Sequence, residues 1–338
     1  MSGLKIFIEK ILAKEKLSVD DSSRAFQIIM SGGANPCEIS LFLGLLRFKE
    51  ESYAEILGAV KAMKAKAINI KAPKNTIDNC GTGGDNIGSY NISTAVAFVV
   101  AACGVNIAKH GNKAVSSKSG SADIFSNLQI NINLTPEQSE KCLLDNNICF
   151  LMAPNFHPAM RHVAAVRQEI GIKTIFNLLG PLLNPANVKR QLIGVYDKKW
   201  LPIFAKILND FDAEMVWIVC GEDGVDEISV TGDTNICQLK DGQVQEFKIN
   251  PKDYGIGLYN IDDIKGKDVM HNTREMIRVF EGKKGALCDM ILINSAAALL
   301  VAGKVDDIKD GINLARNVIN DKLVLAKIDN LVSYTKRI

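Results

Sequence analysis

A glycine-rich loop near residue 80 has the residue types that bind a phosphate or a diphosphate. Residues 78–85 (DNCGTGGD) follow a predicted strand, and residues 91–94 (NIST) begin a predicted helix. Glycines allow a tight turn whose N–H groups face an anion, and a helix N-terminus adds donors and a positive dipole end. The loop lacks the GxxxxGK[ST] string, and Asn86 replaces the last glycine of GxGxxG. The sequence favours an anion site of another kind, with a plain tight turn as the alternative.

A second polar segment follows the next strand-like run. Residues 109–113 (KHGNK) are followed by a loop in which serines, Lys118 and Gly120 alternate up to Ser121. Lys109 can neutralise a phosphate, and Lys113 lies close to it in the sequence. Because the ends of parallel strands gather at one edge of a sheet, two such loops at successive strand ends favour one shared site. A solvated Ser/Lys loop is the alternative.

Two adjacent carboxylates, Asp226 and Glu227, follow a predicted strand at 215–220 and a turn at 221–224. Neighbouring acidic residues on a loop are usually only solvated. Magnesium, however, favours one or two carboxylates together with substrate phosphate oxygens, and the loops above would bring the phosphate. Asp85 could accept hydrogen bonds from ribose hydroxyls or orient the waters of a metal ion.

Arg167 lies on a predicted helix with Val163 and Val166. Its guanidinium could hold a carboxylate ligand through two parallel hydrogen bonds. A surface ion pair with Glu169 is the alternative. His157 stands at the start of the same helix.

The elements that carry these residues change in kind near Pro73. Residues 1 to about 70 show only helical spacing of apolar residues. Beyond Pro73, short apolar runs alternate with helical patterns, which predicts an α/β domain with a mostly parallel sheet flanked by helices. Two helices without an intervening strand interrupt the alternation at about 158–187: one from Ala159 to Ile170, and one from near Lys173 to Gly180. We expect them to join a small helical domain at 1–72, leaving 73–157 and 188–338 as the large domain, with a cleft where the chain crosses.

Composition limits the possible partners and the location of the protein. The chain has 338 residues, 23% of them charged, and a net charge of +2, so neither nucleic acid nor a membrane is required as a partner. None of the eight cysteines forms a CxxC pair, and most lie in apolar runs. Reduced cysteines are typical of the cytoplasm. We find no signal peptide, and the apolar run at 290–303 is too short to cross a bilayer.

The motifs taken together resemble the anthranilate phosphoribosyltransferase family. The strings at 78–85, 91–94, 109–112 and 120–123 (GSAD) occur in that family in this order and spacing. The same holds for His157-Pro158, Val166-Arg167, the string at 176–185 (FNLLGPLLNP) and the string at 224–227 (GVDE). The resemblance extends from the N-terminal helices to the C-terminus.

The resemblance implies the activity, the partners and the site. It implies transfer of the phosphoribosyl group of phosphoribosyl diphosphate to the amino group of anthranilate, in the second step of tryptophan biosynthesis from chorismate. It also implies Mg²⁺, with two ions per subunit, a homodimer formed through the helical domain, and association with anthranilate synthase as a further possibility.

The residues implied for phosphoribosyl diphosphate are Gly81, Gly84, Asp85, Ser89, Asn91, Ile92, Ser93, Thr94, Lys109, His110, Gly111, Asn112, Lys113, Ala114, Val115, Ser116, Ser117 and Ser121. Those implied for anthranilate are Gly81, Asn112, His157, Arg167 and Gly180. Those implied for the metal are Ser93, Asp226 and Glu227. Lys109 is expected to act electrostatically, and we expect no covalent catalyst and no strong general base.

The sequence departs from the family pattern at two positions, and two other functions are alternatives to the implied activity. Asn86 and Lys113 stand where many relatives have glycine and arginine; at the second position a point charge replaces a bidentate donor. One rival is a pyrimidine nucleoside phosphorylase of the same architecture, but its Lys-x-Ser-x-Arg string is not found. The other is a non-catalytic nucleic-acid-binding relative, which the net charge and the presence of Arg167 and Asn112 disfavour.

Overall fold

The computed structural model describes residues 3–84, 87–114 and 119–338. The helices are α1 (Lys5–Leu12), α2 (Val19–Met30), α3 (Pro36–Phe48), α4 (Tyr53–Lys64), α5 (Ile92–Ala102), α6 (Ser121–Asn127), α7 (Pro136–Asn146), α8 (Ala153–Phe156), α9 (Arg161–Ile170), α10 (Phe176–Leu179), α11 (Trp200–Asn209), α12 (Val269–Phe280), α13 (Ala286–Val301), α14 (Ile308–Asn320) and α15 (Leu323–Thr335). The strands are β1 (Ile77–Gly81), β2 (Ile107–Gly111), β3 (Ile148–Met152), β4 (Arg190–Gly194), β5 (Met215–Gly221), β6 (Thr234–Lys240) and β7 (Gln243–Ile249).

The chain forms two compact units, each of which contains two stretches of sequence. One comprises Met1–Asn69 and Ala153–Pro185, and the other comprises Ile70–Met152 and Ala186–Ile338. The first holds α1–α4 and α8–α10 and is all-helical, whereas the second holds every described strand. None of the helices in the described part has both the length and the apolar character that crossing a bilayer requires.

The helical unit is organised by capped helices around an aromatic core. Ser18, Asn35 and Ser52 each accept a hydrogen bond from the third helical residue in a capping box, which satisfies donors at the starts of α2, α3 and α4. The ring of Phe26 meets those of Phe42 and Phe176 edge-on, at 5.8 and 5.7 Å between centroids. Phe176 comes from the second stretch of sequence, so this core ties the two stretches together.

Two helices of this unit begin later than the sequence indicates. A helix was expected from Ala159, but a 3-10 turn covers Pro158–Met160 before α9 begins at Arg161. Gly171, at φ 64°, ends α9 as expected for a left-handed C-terminal glycine. The helix expected from Lys173 is only the single turn α10, followed by a 3-10 turn at Gly180–Leu182. Pro181 has no N–H to continue an α-helix.

The α/β unit confirms the expected mostly parallel sheet. Its seven strands lie in the order β3-β2-β1-β4-β5-β6-β7. The first five are mutually parallel, and β6 and β7 pair antiparallel at the end. Helices α5 and α13 pack on each other and contact β1, while α11 contacts β5 and β6. The fold class is therefore the one predicted.

The β6–β7 hairpin was not predicted from the sequence. Asp241 and Gly242, at φ 49° and 78°, form a two-residue turn of the kind that joins twisted antiparallel strands. Most of β7 is exposed, and residues such as Gln243 and Gln245 mask the alternation that indicates a strand. The Asp-Gly pair was the available signal.

Candidate active site

The sheet order creates a crevice at the carboxyl ends of β1 and β4. From β1 the chain proceeds outward to β2 and β3, then returns to place β4 on the other side of β1. In parallel sheets, ligands bind where the strand order reverses in this way. Here Thr82 N–H donates to the Gly194 carbonyl at 2.9 Å, so the glycine-rich loop leaves the sheet at this point.

Two glycines allow the segment that contains Asp226 to pack against these strand ends. A Cβ atom at Gly194 would lie 1.6 Å from the Asp226 carbonyl oxygen, and one at Gly81 would lie 2.2 Å from Asp226 Oδ2. The same Oδ2 accepts a hydrogen bond from Gly83 N–H at 2.7 Å. The absence of side chains at Gly81 and Gly194 therefore lets one of the predicted metal ligands approach the glycine-rich loop.

Glu227 lies at the N-terminus of α5. Its Oε1 accepts a hydrogen bond from Ser93 N–H at 3.1 Å. A carboxylate is stabilised there by the positive end of the helix dipole. The three residues predicted for the metal, Ser93, Asp226 and Glu227, are thus brought together at one edge of the sheet.

A buried asparagine that we did not predict as a site residue supports the two carboxylates. Asn294, on α13, is fully buried and bonds both backbone groups of Ile228: it accepts from the N–H at 2.9 Å and donates to the carbonyl at 2.8 Å. The residue that follows Glu227 is therefore fixed in place. The available signal was a polar side chain within the apolar run at 290–303.

Lys109 is buried in the middle of β2, and its side chain reaches the same helix start. Its Nζ donates to the Asn79 carbonyl at 2.7 Å and approaches Ser93 Oγ at 3.3 Å. Asn79 in turn donates to the Ser93 carbonyl at 2.7 Å. Ser93 is therefore held through its amide, its hydroxyl and its carbonyl.

Burial and charge act in opposite directions on this lysine. The net effect lowers the pKa of Lys109: burial, the largest cause, lowers it, and the negative charges of Asp78 and Glu227 partly offset that effect. Asp78 is itself buried, and its Oδ1 accepts from His110 N–H at 3.3 Å. The nearby carboxylates explain how an ammonium group can be kept away from water.

The second predicted anion loop is closed at its base by Asp123. Its Oδ2 accepts hydrogen bonds from Ala114 N–H at 3.0 Å and from Gly120 N–H at 2.9 Å. A Cβ atom at Gly120 would lie 2.4 Å from Ala114 N. Ser121 Oγ is 3.4 Å from the Asn112 carbonyl, so the two ends of the loop meet. Asp123 lies in the string at 120–123, but the sequence pattern indicates no role for it.

The remaining residues predicted for phosphoribosyl diphosphate surround these two loops. Ile92 and Thr94 are buried in the first turn of α5, and Lys113 is exposed. Ser89 forms an isolated antiparallel β-bridge with Lys265. Gly84 has φ 77°, and Gly111 ends β2. Asp85, Val115, Ser116 and Ser117 lie outside the described residues.

The residues predicted for anthranilate belong to both units. Gly81 and Asn112 lie in the α/β unit, and His157, Arg167 and Gly180 lie in the helical unit. Burial, with a smaller effect of Lys64, lowers the pKa of His157 to about 4.

The guanidinium of Arg167 lies 5.3 Å from the centroid of the Phe176 ring. Within the described residues Arg167 forms this ring contact, and the alternative ion pair with Glu169 is not formed. Gly180 is exposed at the end of α10.

Comparison with known proteins identifies the family. Residues 73–322 match the glycosyl transferase family, a/b domain, and residues 5–67 match the glycosyl transferase family, helical bundle domain. An anthranilate phosphoribosyltransferase of Sinorhizobium medicae is 46% identical over 333 residues, which is 98% of both chains. The chain belongs to the anthranilate phosphoribosyltransferase family. Members of this family are glycosyltransferase enzymes, and neither rival function is favoured.

Solved structures of the anthranilate phosphoribosyltransferase family agree over the whole fold. The enzyme of Thermus thermophilus superposes with a TM-score of 0.90 at 33% identity, covering 97% of this chain and 99% of that one. The enzyme of Saccharomyces cerevisiae, in complex with PRPP and Mg, gives a TM-score of 0.90 at 28% identity, covering 99% and 98%.

Proposed function

We propose that this chain transfers the phosphoribosyl group of phosphoribosyl diphosphate to the amino group of anthranilate and releases diphosphate. This is the second step of tryptophan biosynthesis from chorismate. One observation carries the proposal. In a chain of this family, the crevice between β1 and β4 brings together Gly83 N–H, the start of α5 and the Asp226-Glu227 pair.

The proposed site for phosphoribosyl diphosphate uses both loops at the strand ends. Residues 81–94 supply backbone N–H donors and the helix N-terminus, and residues 109–117 with Ser121 supply the cation and further polar groups. Anions are stabilised by such donors without any reorganisation when charge develops. Lys109 Nζ, next to Ser93 Oγ, is the positive charge closest to the start of α5 among the contacts described above.

The same edge fits magnesium in its donor chemistry. Asp226, Glu227 and the Ser93 hydroxyl offer only oxygen atoms, which this hard cation prefers. Asp226 and Glu227 are consecutive, and Asn294 fixes the backbone immediately after them. These three residues would hold the metal, with two ions per subunit as our proposal. Bound magnesium would supply positive charge against the departing diphosphate.

The residues that we propose for anthranilate are Gly81 and Asn112 of the α/β unit and His157, Arg167 and Gly180 of the helical unit. The arginine would hold the substrate carboxylate. His157 is neutral at pH 7 because burial has lowered its pKa to about 4, so it can line the site without adding charge.

The chain accelerates the reaction by position and charge. The C–O bond to diphosphate breaks, with its electron pair going to diphosphate, as the aromatic amine, already neutral at pH 7, forms the new C–N bond at the anomeric carbon. The nitrogen then loses its extra proton to the departing diphosphate or to water. The transition state resembles an oxocarbenium ion, and negative charge grows on the leaving group. Lys109 and the loop N–H groups stabilise that charge. A strong general base is unnecessary because orientation of the weak nucleophile contributes most.

The exposed face of α3 supports a homodimer through the helical unit. Cys37, Leu41, Leu45 and Phe48 follow one another at intervals of three or four residues, so they share one side of the helix. Leu41 is 48% exposed and Phe48 is 89% exposed. We propose a second copy of the chain as the partner of this face. Association with anthranilate synthase and a cytoplasmic location, consistent with eight free cysteines, belong to the same proposal.

The proposal is tested by the fluorescence of anthranilate. Purified protein is mixed with anthranilate and phosphoribosyl diphosphate, with and without Mg²⁺. We expect a decrease in fluorescence that requires both substrates and the metal. Unchanged fluorescence from folded protein would contradict the activity, and nucleoside phosphorolysis and nucleic-acid binding would be assayed next.

A further inference from the structure

The segment before α12 braces the end of the glycine-rich loop. Ser89 and Lys265 form an antiparallel bridge, Tyr90 N–H donates to the Ile264 carbonyl at 3.2 Å, and Gly266 N–H donates to the Gly88 carbonyl at 2.8 Å. Residues 88–90 therefore have backbone contacts to a segment about 175 positions later in the chain. This brace lies directly before Asn91.

Asn91 joins the two anion loops through its side chain. It occupies the N-cap position of α5, but within the described residues its side chain does not cap the helix. Instead, Nδ2 donates to the Ser119 carbonyl at 3.1 Å, and Oδ1 accepts from Ser119 Oγ at 2.8 Å. The orientation of this one amide therefore couples the start of α5 to the end of the second loop.

Asn272, on α12, sets the orientation of that amide. It is buried, with 4% of its surface exposed. Its Nδ2 donates to Asn91 Oδ1 at 3.1 Å, and its Oδ1 accepts from Lys267 N–H at 2.7 Å. A Cβ atom at Gly266 would lie 2.8 Å from Asn272 Nδ2, so the backbone encloses the amide on this side.

The hydrogen bonds that link Lys267, Asn272, Asn91 and Ser119, here called the relay, allow only one orientation of the two amides. Lys267 N–H can only donate, so Asn272 must present its oxygen to it and its NH₂ to Asn91. Asn91 must then present its oxygen to Asn272, which leaves its NH₂ for the Ser119 carbonyl, a group that can only accept. The sequence of obligatory donors and acceptors fixes both amides without any contact from a ligand.

We propose that Asn272 is a positioning residue for phosphoribosyl diphosphate: it holds Asn91 in the orientation that keeps the two anion loops together. The inference rests on the proposed function of those loops. It assigns Asn272 no contact with either substrate, so its removal acts through Asn91.

The variant Asn272→Asp tests the direction of the relay at almost constant shape. One carboxylate oxygen still accepts from Lys267 N–H, but the other now faces Asn91 Oδ1. Either two oxygens oppose each other, or the Asn91 amide turns and loses its bond to the Ser119 carbonyl. We expect the KM for phosphoribosyl diphosphate to rise at least about tenfold, while kcat and the KM for anthranilate stay within about threefold.

The matched control is Asn147→Asp. Asn147 Nδ2 donates to Asn106 Oδ1 at 2.8 Å, so the control breaks the same kind of amide pair. Both residues lie immediately before the strands β2 and β3, at the sheet edge opposite the crevice. We expect unchanged KM values in this variant, whatever its loss of thermal stability.

In a second variant, Gly266→Ala, the new Cβ would lie 2.8 Å from Asn272 Nδ2 and 3.0 Å from the Ser89 carbonyl oxygen. It presses on the amide and on the adjoining brace without altering either chemically, and we expect the same selective rise in KM. Titration calorimetry with phosphoribosyl diphosphate and Mg²⁺ should show the matching loss of affinity. An unchanged KM for phosphoribosyl diphosphate in folded Asn272→Asp, or an equal rise for both substrates, would overturn the inference. Loss of folding in both variants would also overturn it, since Asn272 would then serve the fold as a whole. Inactive wild-type protein would refute the proposed function instead.

Discussion

Substitution of Gly194 by alanine should disable the enzyme although Gly194 is assigned no contact with a substrate. The new Cβ would lie 1.6 Å from the Asp226 carbonyl oxygen and 2.4 Å from its carbonyl carbon. Real Cβ atoms essentially never approach closer than 3.0 Å, so the Asp226 backbone must retreat by at least about 1.4 Å. The obstacle is backbone, which cannot rotate away as a flexible side chain can.

The displacement is expected to lower the reaction rate because it moves the proposed metal ligands out of place. A misplacement of about 1 Å in a catalytic arrangement can cost about 100-fold in rate. Asp226 and Glu227 are consecutive, and Asn294 anchors the residue after them, so the retreat strains both proposed metal ligands. We expect kcat/KM to fall by at least about 100-fold and half-saturation to require more Mg²⁺.

The assay is the loss of anthranilate fluorescence at a series of Mg²⁺ concentrations, with circular dichroism to verify folding. Gly257→Ala is the control, because a Cβ atom there meets nothing within 4 Å. It should behave as wild type. A folded Gly194→Ala protein with wild-type kcat/KM and magnesium response would refute the idea that the close approach of Asp226 to β4 positions the metal ligands.

Four further variants test other properties of the protein. The double variant Asp226→Ala/Glu227→Ala should lose most activity and shift its magnesium dependence, as measured by magnesium titration of turnover. Asn294→Ala leaves the buried Ile228 N–H without its partner and should lower the free energy of unfolding by about 1–3 kcal/mol in urea titrations. Phe48→Glu should shift the chain from dimer to monomer in analytical ultracentrifugation, and a persistent dimer would argue against the α3 interface. The pKa of His157 is lowered to about 4, so its contribution to the free energy of unfolding is fully present above pH 6.5 and is lost as the pH falls toward 4. The loss should reach about 3 kcal/mol. Denaturant titrations of His157→Gln should show a smaller decline over the same pH range.

The loops of the candidate site could be predicted because their chemistry is local in sequence. Gly81, Gly83 and Ser93 lie within a stretch of 13 residues that contains a strand end, a turn and a helix start. A helix start and a turn are set by neighbouring residues, so their donors can be deduced from spacing. The crevice itself could not be deduced in this way, since the position of β4 beside β1 depends on pairing across more than 100 residues.

The residues that hold the site in place were beyond the reach of sequence patterns for the same reason. Asn294 is a polar residue within a mostly apolar helix, whereas Asn272 is one of several polar residues on α12. They act on segments that lie 66 and 181 positions away in the chain. A buried amide without a partner would cost about 1–3 kcal/mol, so a partner must exist. The sequence shows that such a partner is needed, but only the fold shows which group it is. The groups that donate hydrogen bonds to a ligand are set by neighbouring residues in the sequence. The groups that orient those donors are set by long-range packing.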